Sequence, residues 1–251
     1  MKRKPTLEVC LSPLLLHLFE PKGKVVVIID ILRASSTICT ILENGASRVI
    51  PVASLEECLK YKDKENHIVA AERHGQKPDG FEFGNSPFDF PREKVEGKTV
   101  VLTTTNGTKA LHMSAEASHI VIGSFLNLDS LCSWLKETNR DTVLFSAGWK
   151  NHLNFEDSVY GGAVLEMLKN DFESDLDSSL AVRYLYKNLK NRMDVAMKFS
   201  SHYKRLEGFG VSKDVDYCLS INELSVLPIL QGKDLVDAYQ TQDHDNKGTS
   251  F

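Results

Sequence analysis

Short apolar runs alternate with polar, helix-like segments along most of the chain. Residues 25–29 read VVVII, a β-branched run that is too short for a helix and therefore indicates a strand buried on both faces. The same reasoning predicts further strands at 49–52, 67–71, 99–102, 120–122 and 141–145.

Helices are predicted between these strands. One opens at 36–42 with Gly45 as its C-terminal cap, and Ser54 is predicted to cap another that carries two glutamates in its first turn. Further helices are predicted at 109–113 and at 156–168. In 178–190, apolar residues recur on one face of an amphipathic helix, namely Leu180, Ala181, Tyr184, Leu185 and Leu189.

Strands that alternate with helices predict an α/β fold with a largely parallel or mixed sheet. Three of the strands end in a small polar loop that opens a helix, near Asp30, Thr103 and Ser146. Because ligands of such folds bind outside the carboxyl ends of the strands, we expect these loops to meet at one site.

The composition narrows the class of protein. The chain has 251 residues and a net charge of -4, so it lacks the basic field that a nucleic acid needs. Its apolar runs are shorter than the roughly 20 residues of a membrane span, and five cysteines without a CxxC pair argue against disulfides or a thiolate zinc site. We expect a cytoplasmic protein.

The chain is expected to form one catalytic domain at 1–241, or two lobes at about 1–125 and 126–241, followed by a polar tail at 242–251.

The segment after the first of these strands, DILRASST at 30–37, carries candidate chemistry. Asp30 stands where a magnesium ligand is often found, Arg33 offers a donor fork for an anion, and Ser35 and Ser36 lie at a predicted helix start. A strand-ending aspartate with a helix cap explains the segment equally well. Leu32 stands where an aspartyl-phosphate phosphatase of the DxD type has its second acid, which argues against a covalent mechanism.

Two other loops are rich in anion-binding groups. In TTTNGT at 103–108, the hydroxyls and amides of Thr105, Asn106, Gly107 and Thr108 are predicted to cradle an anion. A hairpin turn is the alternative, and the helix-like KALHM that follows disfavours it. The long loop at 72–87 offers Glu72 for a metal or a water, Arg73 for an anion, and Asn85 and Ser86 as donors. An ordinary solvated loop is the alternative, and it is preferred for His74 and Lys77 alone.

Glu156 and Asp157 form a pair of adjacent carboxylates at a predicted helix start. The helix dipole explains them, and they are also suited to complete a hard-cation site. Structural roles are expected for Asp214, Asp216 and the isolated histidines His17, His112, His119, His202 and His244.

Seven ordered segments carry the most specific signal: DILRASST (30–37), NGA (44–46), AERHG (71–75), GFEFGNSP (80–87), TTTNGTKAL (103–111), GSFLN (123–127) and AGWKNHLNFEDSVYGGAV (147–164). Together they resemble the 2-phosphosulfolactate phosphatase family. The resemblance implies a three-layer α/β/α fold and a magnesium enzyme that hydrolyses (2R)-2-phospho-3-sulfolactate to 3-sulfolactate and phosphate. The implied pathway is coenzyme M biosynthesis in archaea or sulfolactate formation in bacteria.

Our site hypothesis follows from these loops. Catalytic roles are assigned to Asp30, Glu72 and Arg33. Magnesium is expected on Asp30, Glu72, Glu156 and Asp157. Substrate binding is assigned to Arg73, Ser35, Ser36, Asn85, Ser86, Thr105, Asn106, Gly107 and Thr108. The expected partner is a small anionic phosphomonoester, without nucleic acid or membrane, and the chain is expected to form a homo-oligomer.

Two other functions stay open from the sequence. One is a phosphatase that forms an aspartyl phosphate on Asp30 with another small phosphomonoester. The other is a non-catalytic protein that binds an anionic metabolite. Phosphate release and a trapped phosphoenzyme discriminate among the three.

Overall fold

A nine-stranded mixed sheet runs through the computed structural model, in which residues 3–209 and 212–239 are described. The strands are β1 Leu7–Cys10, β2 Val25–Ile29, β3 Arg48–Pro51, β4 His67–Ala71, β5 Thr99–Thr103, β6 His119–Gly123, β7 Thr142–Ser146, β8 Pro228–Gln231 and β9 Asp234–Asp237. All six predicted strands are confirmed to within one residue at each end. The predicted polar tail at 242–251 lies outside the described residues.

The sheet consists of two parallel groups joined by a hairpin. Its order is β1-β7-β2-β6-β8-β9-β3-β5-β4. The first four strands are parallel to one another, as are the last three, whereas β8 and β9 pair antiparallel with each other and with their neighbours. The hairpin meets the two groups through one residue pair each, Val121 with Ile229 and Val49 with Leu235. The expectation of a largely parallel or mixed sheet is thus confirmed.

Helices cover both faces of the sheet. They are α1 Ala34–Glu43, α2 Leu55–Leu59, α3 Arg92–Val95, α4 Gly107–Met113, α5 Leu128–Thr138, α6 Phe155–Met167, α7 Asp177–Leu189, α8 Met193–Met197, α9 Ser201–Glu207 and α10 Ser212–Cys218. The predicted caps are present: the Ser54 hydroxyl accepts from the Glu57 amide at 3.1 Å, and Gly45 follows α1 with φ +89°.

The side chains of strand β2 show why the sheet lies between two layers of helices. Val25, Val27 and Ile29 belong to the core on one face, which α5 and α6 cover, while Val26 and Ile28 belong to the core on the other face, which α1 covers. Successive side chains of a strand point to opposite faces, so a central strand between two helical layers has to be apolar throughout. The three-layer α/β/α arrangement is confirmed.

The apolar face predicted for α7 is partly wrong. Leu180 and Tyr184 are 53% and 57% exposed, whereas Ser179 and Val182 are buried. The reason is the close approach of α6: a Cβ built on Gly162 would lie 2.1 Å from the Val182 carbonyl oxygen. This contact turns the side of α7 that carries Val182 inward. Across the described residues, no helix combines the length and apolar character that crossing a bilayer requires.

Candidate active site

A narrow cavity lies at the carboxyl ends of β2, β4, β5 and β7. Its volume is about 20 Å³. Its lining consists of Asp30, Leu32, Arg33, Glu72, Gly75, Asn85, Asn106, Trp149, His202 and Leu206. The three loops that we expected to meet, those after Asp30, Thr103 and Ser146, each contribute to it.

Asp30 directly follows β2 and is buried in the cavity wall. Its amide donates to the Ser35 hydroxyl at 2.8 Å, and its carbonyl accepts from the Ser35 amide at 2.8 Å, which ties the turn into α1. A Cβ at Gly107 would lie 2.8 Å from the Ala34 Cβ and 3.3 Å from a carboxylate oxygen of Asp30, so the close approach of the threonine-rich loop requires glycine.

The Asp30 carboxyl group is unusual in its proton affinity. Its pKa is raised to about 7, chiefly by burial, while His202 lowers it and the carboxylates of Glu72 and Glu156 add smaller upward shifts. Burial also raises the pKa of Asp157 well above its ordinary value, with Glu156 and Asp30 acting in the same direction. The cavity therefore concentrates negative charge away from water.

Glu72, which follows β4, holds two loops together. One carboxylate oxygen accepts from the Gly75 amide at 2.5 Å and from the Thr105 hydroxyl at 3.2 Å, and the other accepts from the Thr105 amide at 3.1 Å. These bonds connect the loop after β4 to the loop after β5. A carboxylate has about four acceptor positions, so one remains for a ligand or a water.

Arg33 is not a free anion-binding group. Its guanidinium pairs with the buried carboxylate of Asp214 and donates to the Gly75 carbonyl at 3.0 Å. The second oxygen of Asp214 accepts from the Ser86 hydroxyl at 2.9 Å. Asp214, which was expected to be structural, thus lies at the edge of the site and joins Arg33 to Ser86.

Glu156 and Asp157 open α6 and are completely buried. One oxygen of Glu156 lies 2.5 Å from the His202 Nδ1 atom, and one oxygen of Asp157 accepts from the Ile31 amide at 3.0 Å. The second carboxylate oxygen of each residue is buried without a hydrogen-bond partner. Such an oxygen is costly in a folded protein unless a ligand or ion satisfies it.

His202 is the lining residue that sequence reasoning missed. It was assigned a structural role, but α9 places it in the cavity wall beside Asp30, with its ring stacked on Trp149 at a centroid distance of 6.3 Å. Arg205 covers the same indole at 4.7 Å. A lone histidine in a polar helix gives no local signal, because its partner Glu156 is distant in sequence.

The predicted substrate-binding residues separate into groups. Asn85 and Asn106 line the cavity, and the Asn85 side-chain oxygen is buried without a partner. Ser86 lines a groove of about 540 Å³ that shares Arg33, Gly75 and Asn85 with the cavity. Gly107 is the point of close approach to Asp30.

Other predicted residues are not brought to the cavity. The Ser36 hydroxyl donates to the Ile31 carbonyl at 2.9 Å and meets the Ser124 hydroxyl at 3.0 Å, and Ser35 is buried in the turn after Asp30. Arg73, Thr105 and Thr108 line a separate second pocket on α4.

The donor set fits a hard divalent cation with few direct protein ligands. Within residues 3–209 and 212–239, no group of three or more histidine, cysteine, aspartate or glutamate side chains is arranged to hold a metal ion. Magnesium, however, commonly keeps several waters and uses one or two carboxylates together with substrate oxygens. The free oxygens of Glu156 and Asp157 and the buried charge at Asp30 match that requirement.

An α/β fold whose strand ends gather carboxylates, an arginine and amide donors around a small cavity defines an enzyme-type site for a small anion. The chain belongs to the 2-phosphosulpholactate phosphatase family, whose sequence model matches residues 10–233. The family resemblance seen in the motifs is thereby confirmed.

Individual relatives agree with the family. A protein of Caldanaerobacter subterraneus subsp. tengcongensis, named probable 2-phosphosulfolactate phosphatase, is 41% identical over 84% of this chain and 89% of its own length. Proteins with the same name are 43% identical in Thermotoga petrophila, over 81% of this chain and 88% of the relative, and 35% identical in Clostridium novyi, over 82% and 89%.

Proposed function

We propose that this chain is a magnesium-dependent phosphatase that hydrolyses (2R)-2-phospho-3-sulfolactate to 3-sulfolactate and phosphate. The observation that carries the proposal is the cavity lined by Asp30 and Glu72 in a member of this family. The buried Glu156 and Asp157 lie within electrostatic reach of Asp30, and each has one carboxylate oxygen without a partner. His202 is the basic side chain beside these carboxylates, and a hard cation would satisfy the oxygens that it leaves without a partner.

The site residues have different proposed roles. Asp30 and the free oxygens of Glu156 and Asp157 would hold magnesium, at most two of them directly and the rest through water. When bound, the ion would neutralise charge on the phosphoryl group. Glu72 keeps one acceptor position toward the cavity, where it orients the attacking water. Arg33 uses few of its five N–H donors on Asp214 and Gly75, and the remainder serve the anionic substrate together with Asn85 and Asn106.

Substrate enters through the groove. A cavity of about 20 Å³ holds at most one water, so the substrate has to widen it. The groove, with about 540 Å³, shares Arg33 and Asn85 with the cavity and provides the path.

The cellular setting is part of the proposal. We place the enzyme in the cytoplasm, acting on a small phosphomonoester in coenzyme M biosynthesis or sulfolactate formation. The net charge of -4 supports a role without nucleic acid. An exposed apolar stripe on α7, formed by Leu176, Leu180 and Tyr184, supports assembly into a homo-oligomer.

The test is phosphate release from 2-phosphosulfolactate with magnesium and with excess EDTA, beside phospholactate and phosphoglycolate. We expect metal-dependent release that is fastest with the sulfonate substrate, and no covalent phosphoenzyme on Asp30. The same rate in EDTA would refute the metal requirement. Tight binding without release, in folded protein, would favour a non-catalytic anion-binding protein.

A further inference from the structure

The second pocket lies on the other side of the Glu72–Thr105 connection from the cavity. It has a volume of about 550 Å³ and is formed where the chain leaves β3, β4 and β5 and by one face of α4. Its polar lining is Arg73, Thr104, Thr105, Thr108, Lys109 and His112. It shares none of its lining residues with the cavity, and none of them is a carboxylate.

Arg73 is fixed in this pocket by neutral groups. Its guanidinium donates to the Glu72 carbonyl at 2.6 Å and to the Thr103 hydroxyl at 2.9 Å. Among the ion pairs of the described residues, none includes Arg73. An exposed carboxylate, Glu56 of α2, is within electrostatic reach, but in solvent it neutralises little of the charge.

Lys109 adds a second positive charge. It lies three residues before His112 on α4, so both side chains occupy the same face of the helix. Its contact is the neutral side-chain oxygen of Asn151 at 3.4 Å. Arginine and lysine are both protonated at neutral pH, so the pocket holds two charges with no carboxylate in its lining.

We propose that this pocket is a second binding site, distinct from the catalytic cavity, for a small molecule with two or more carboxylate, sulfonate or phosphate groups. The volume is that of a small-ligand pocket. The fixed guanidinium of Arg73 provides bidentate geometry, and Lys109 provides a mobile charge. Thr104 offers a further hydroxyl donor, whereas the hydroxyls of Thr105 and Thr108 already donate to Glu72 and to the Thr104 carbonyl. The proposal goes beyond the proposed phosphatase activity and does not depend on it.

The experiment counts anion sites on the full chain. Equilibrium dialysis with radiolabelled inorganic phosphate at low ionic strength is carried out on the wild type, on Lys109→Ala, and on Lys190→Ala as the matched control, because Lys190 is exposed at the end of α7. We expect two classes of site in the wild type. Lys109→Ala should weaken one class at least fivefold, and Lys190→Ala should change neither.

Steady-state kinetics separates this site from the cavity. Lys109→Ala is expected to keep the kcat and KM of the wild type, since Lys109 lies outside the cavity lining. Unchanged phosphate binding in Lys109→Ala would overturn the proposal, and so would a several-fold rise in KM, because the pocket would then belong to the catalytic site. If the chain released no phosphate from any substrate, the dialysis result would still decide this inference independently.

Discussion

Asp30 combines a proposed catalytic role with a cost to stability. Its carboxyl pKa is raised from 3.8 to about 7, chiefly by burial, so the folded state holds a proton that the unfolded state releases. Stability contributed by this group therefore falls as the pH rises from about 4 to about 7. Function and stability make opposite demands on the residue, as is common where charges are gathered for catalysis.

Asp30→Asn should reveal both demands. The substitution keeps the size of the side chain and removes the charge, so we expect at least a 100-fold loss of kcat. In the absence of metal we expect a higher Tm than the wild type, with a difference that grows between pH 4 and pH 7. Thermal melts across this range and phosphate-release assays measure the two effects. A Tm difference independent of pH would contradict the assignment.

The pKa of Glu166, which lies near the surface, is shifted in the opposite direction to that of Asp30. Its carboxylate lies 2.6 Å from the Lys169 ammonium and 2.6 Å from the Arg183 Nε atom. These hydrogen bonds lower its pKa from 4.5 to about 2, so the stability it contributes is complete above about pH 4.5 and is lost as the pH falls toward 2.

Glu166→Gln should therefore destabilise the protein only where the carboxylate is ionised. We expect a loss of up to about 1 kcal/mol at pH 7, because the pair is close to solvent, and a vanishing difference near pH 2. Urea titrations at several pH values, with Glu173→Gln as a control outside these ion pairs, provide the measurement. An equal loss at low pH would indicate a packing effect instead.

Among the helices, the contact between α6 and α7 is the most sensitive to a single atom. Gly162→Ala would place a Cβ 2.1 Å from the Val182 carbonyl oxygen, which the backbone of α7 has to accommodate. We expect a loss of about 2 kcal/mol or more in the free energy of unfolding. Gly161→Ala is the matched control, because its Cβ would meet only the two methyl groups of Val9, at 3.3 and 3.4 Å.

Gly161→Ala should change the free energy of unfolding by less than about 1 kcal/mol, since alanine is also a better helix former than glycine. Denaturant titration of the two variants gives the comparison. Equal effects of the two substitutions would mean that α7 shifts without cost, and that the contact does not fix the orientation of the helix.

Predictability from sequence also differed among the elements. The strand β2 was recognised because a strand buried on both faces is apolar at every position. The strands β8 and β9 were not predicted, since each has four residues, is partly exposed and meets its outer neighbour through one residue pair. The helix α5 was also missed, although Leu128, Leu131 and Leu135 recur at helical spacing.

Residues of the cavity lining were predictable from the sequence where they directly follow a strand. Asp30 and Glu72 were found because the carboxyl ends of strands collect at one edge of an α/β fold. His202 and Asp214 arrive from helices far along the chain, and their partners Glu156 and Arg33 are identified only by the packing of α9 and α10.

At the scale of the whole molecule, the stripe on α7 predicts association. Leu180 and Tyr184 are more than half exposed and lie one turn apart. We expect the wild type to be an oligomer and Leu180→Glu to reduce its mass by light scattering, because a charge in an apolar interface is costly. Ser133→Glu adds the same charge at an exposed position of α5 and should leave the mass unchanged. A monomeric wild type at micromolar concentration would contradict the assignment.

The position of the β8–β9 hairpin has a consequence for biosynthesis. The ribosome makes this hairpin after all seven other strands, yet the sheet needs it at its centre, between β6 and β3. Until it emerges, the nascent chain holds two half-sheets, each with an open inner edge that can pair with another chain. A translation pause before residue 228 would therefore prolong the interval in which the two inner edges of the newborn protein are open to pairing with another chain.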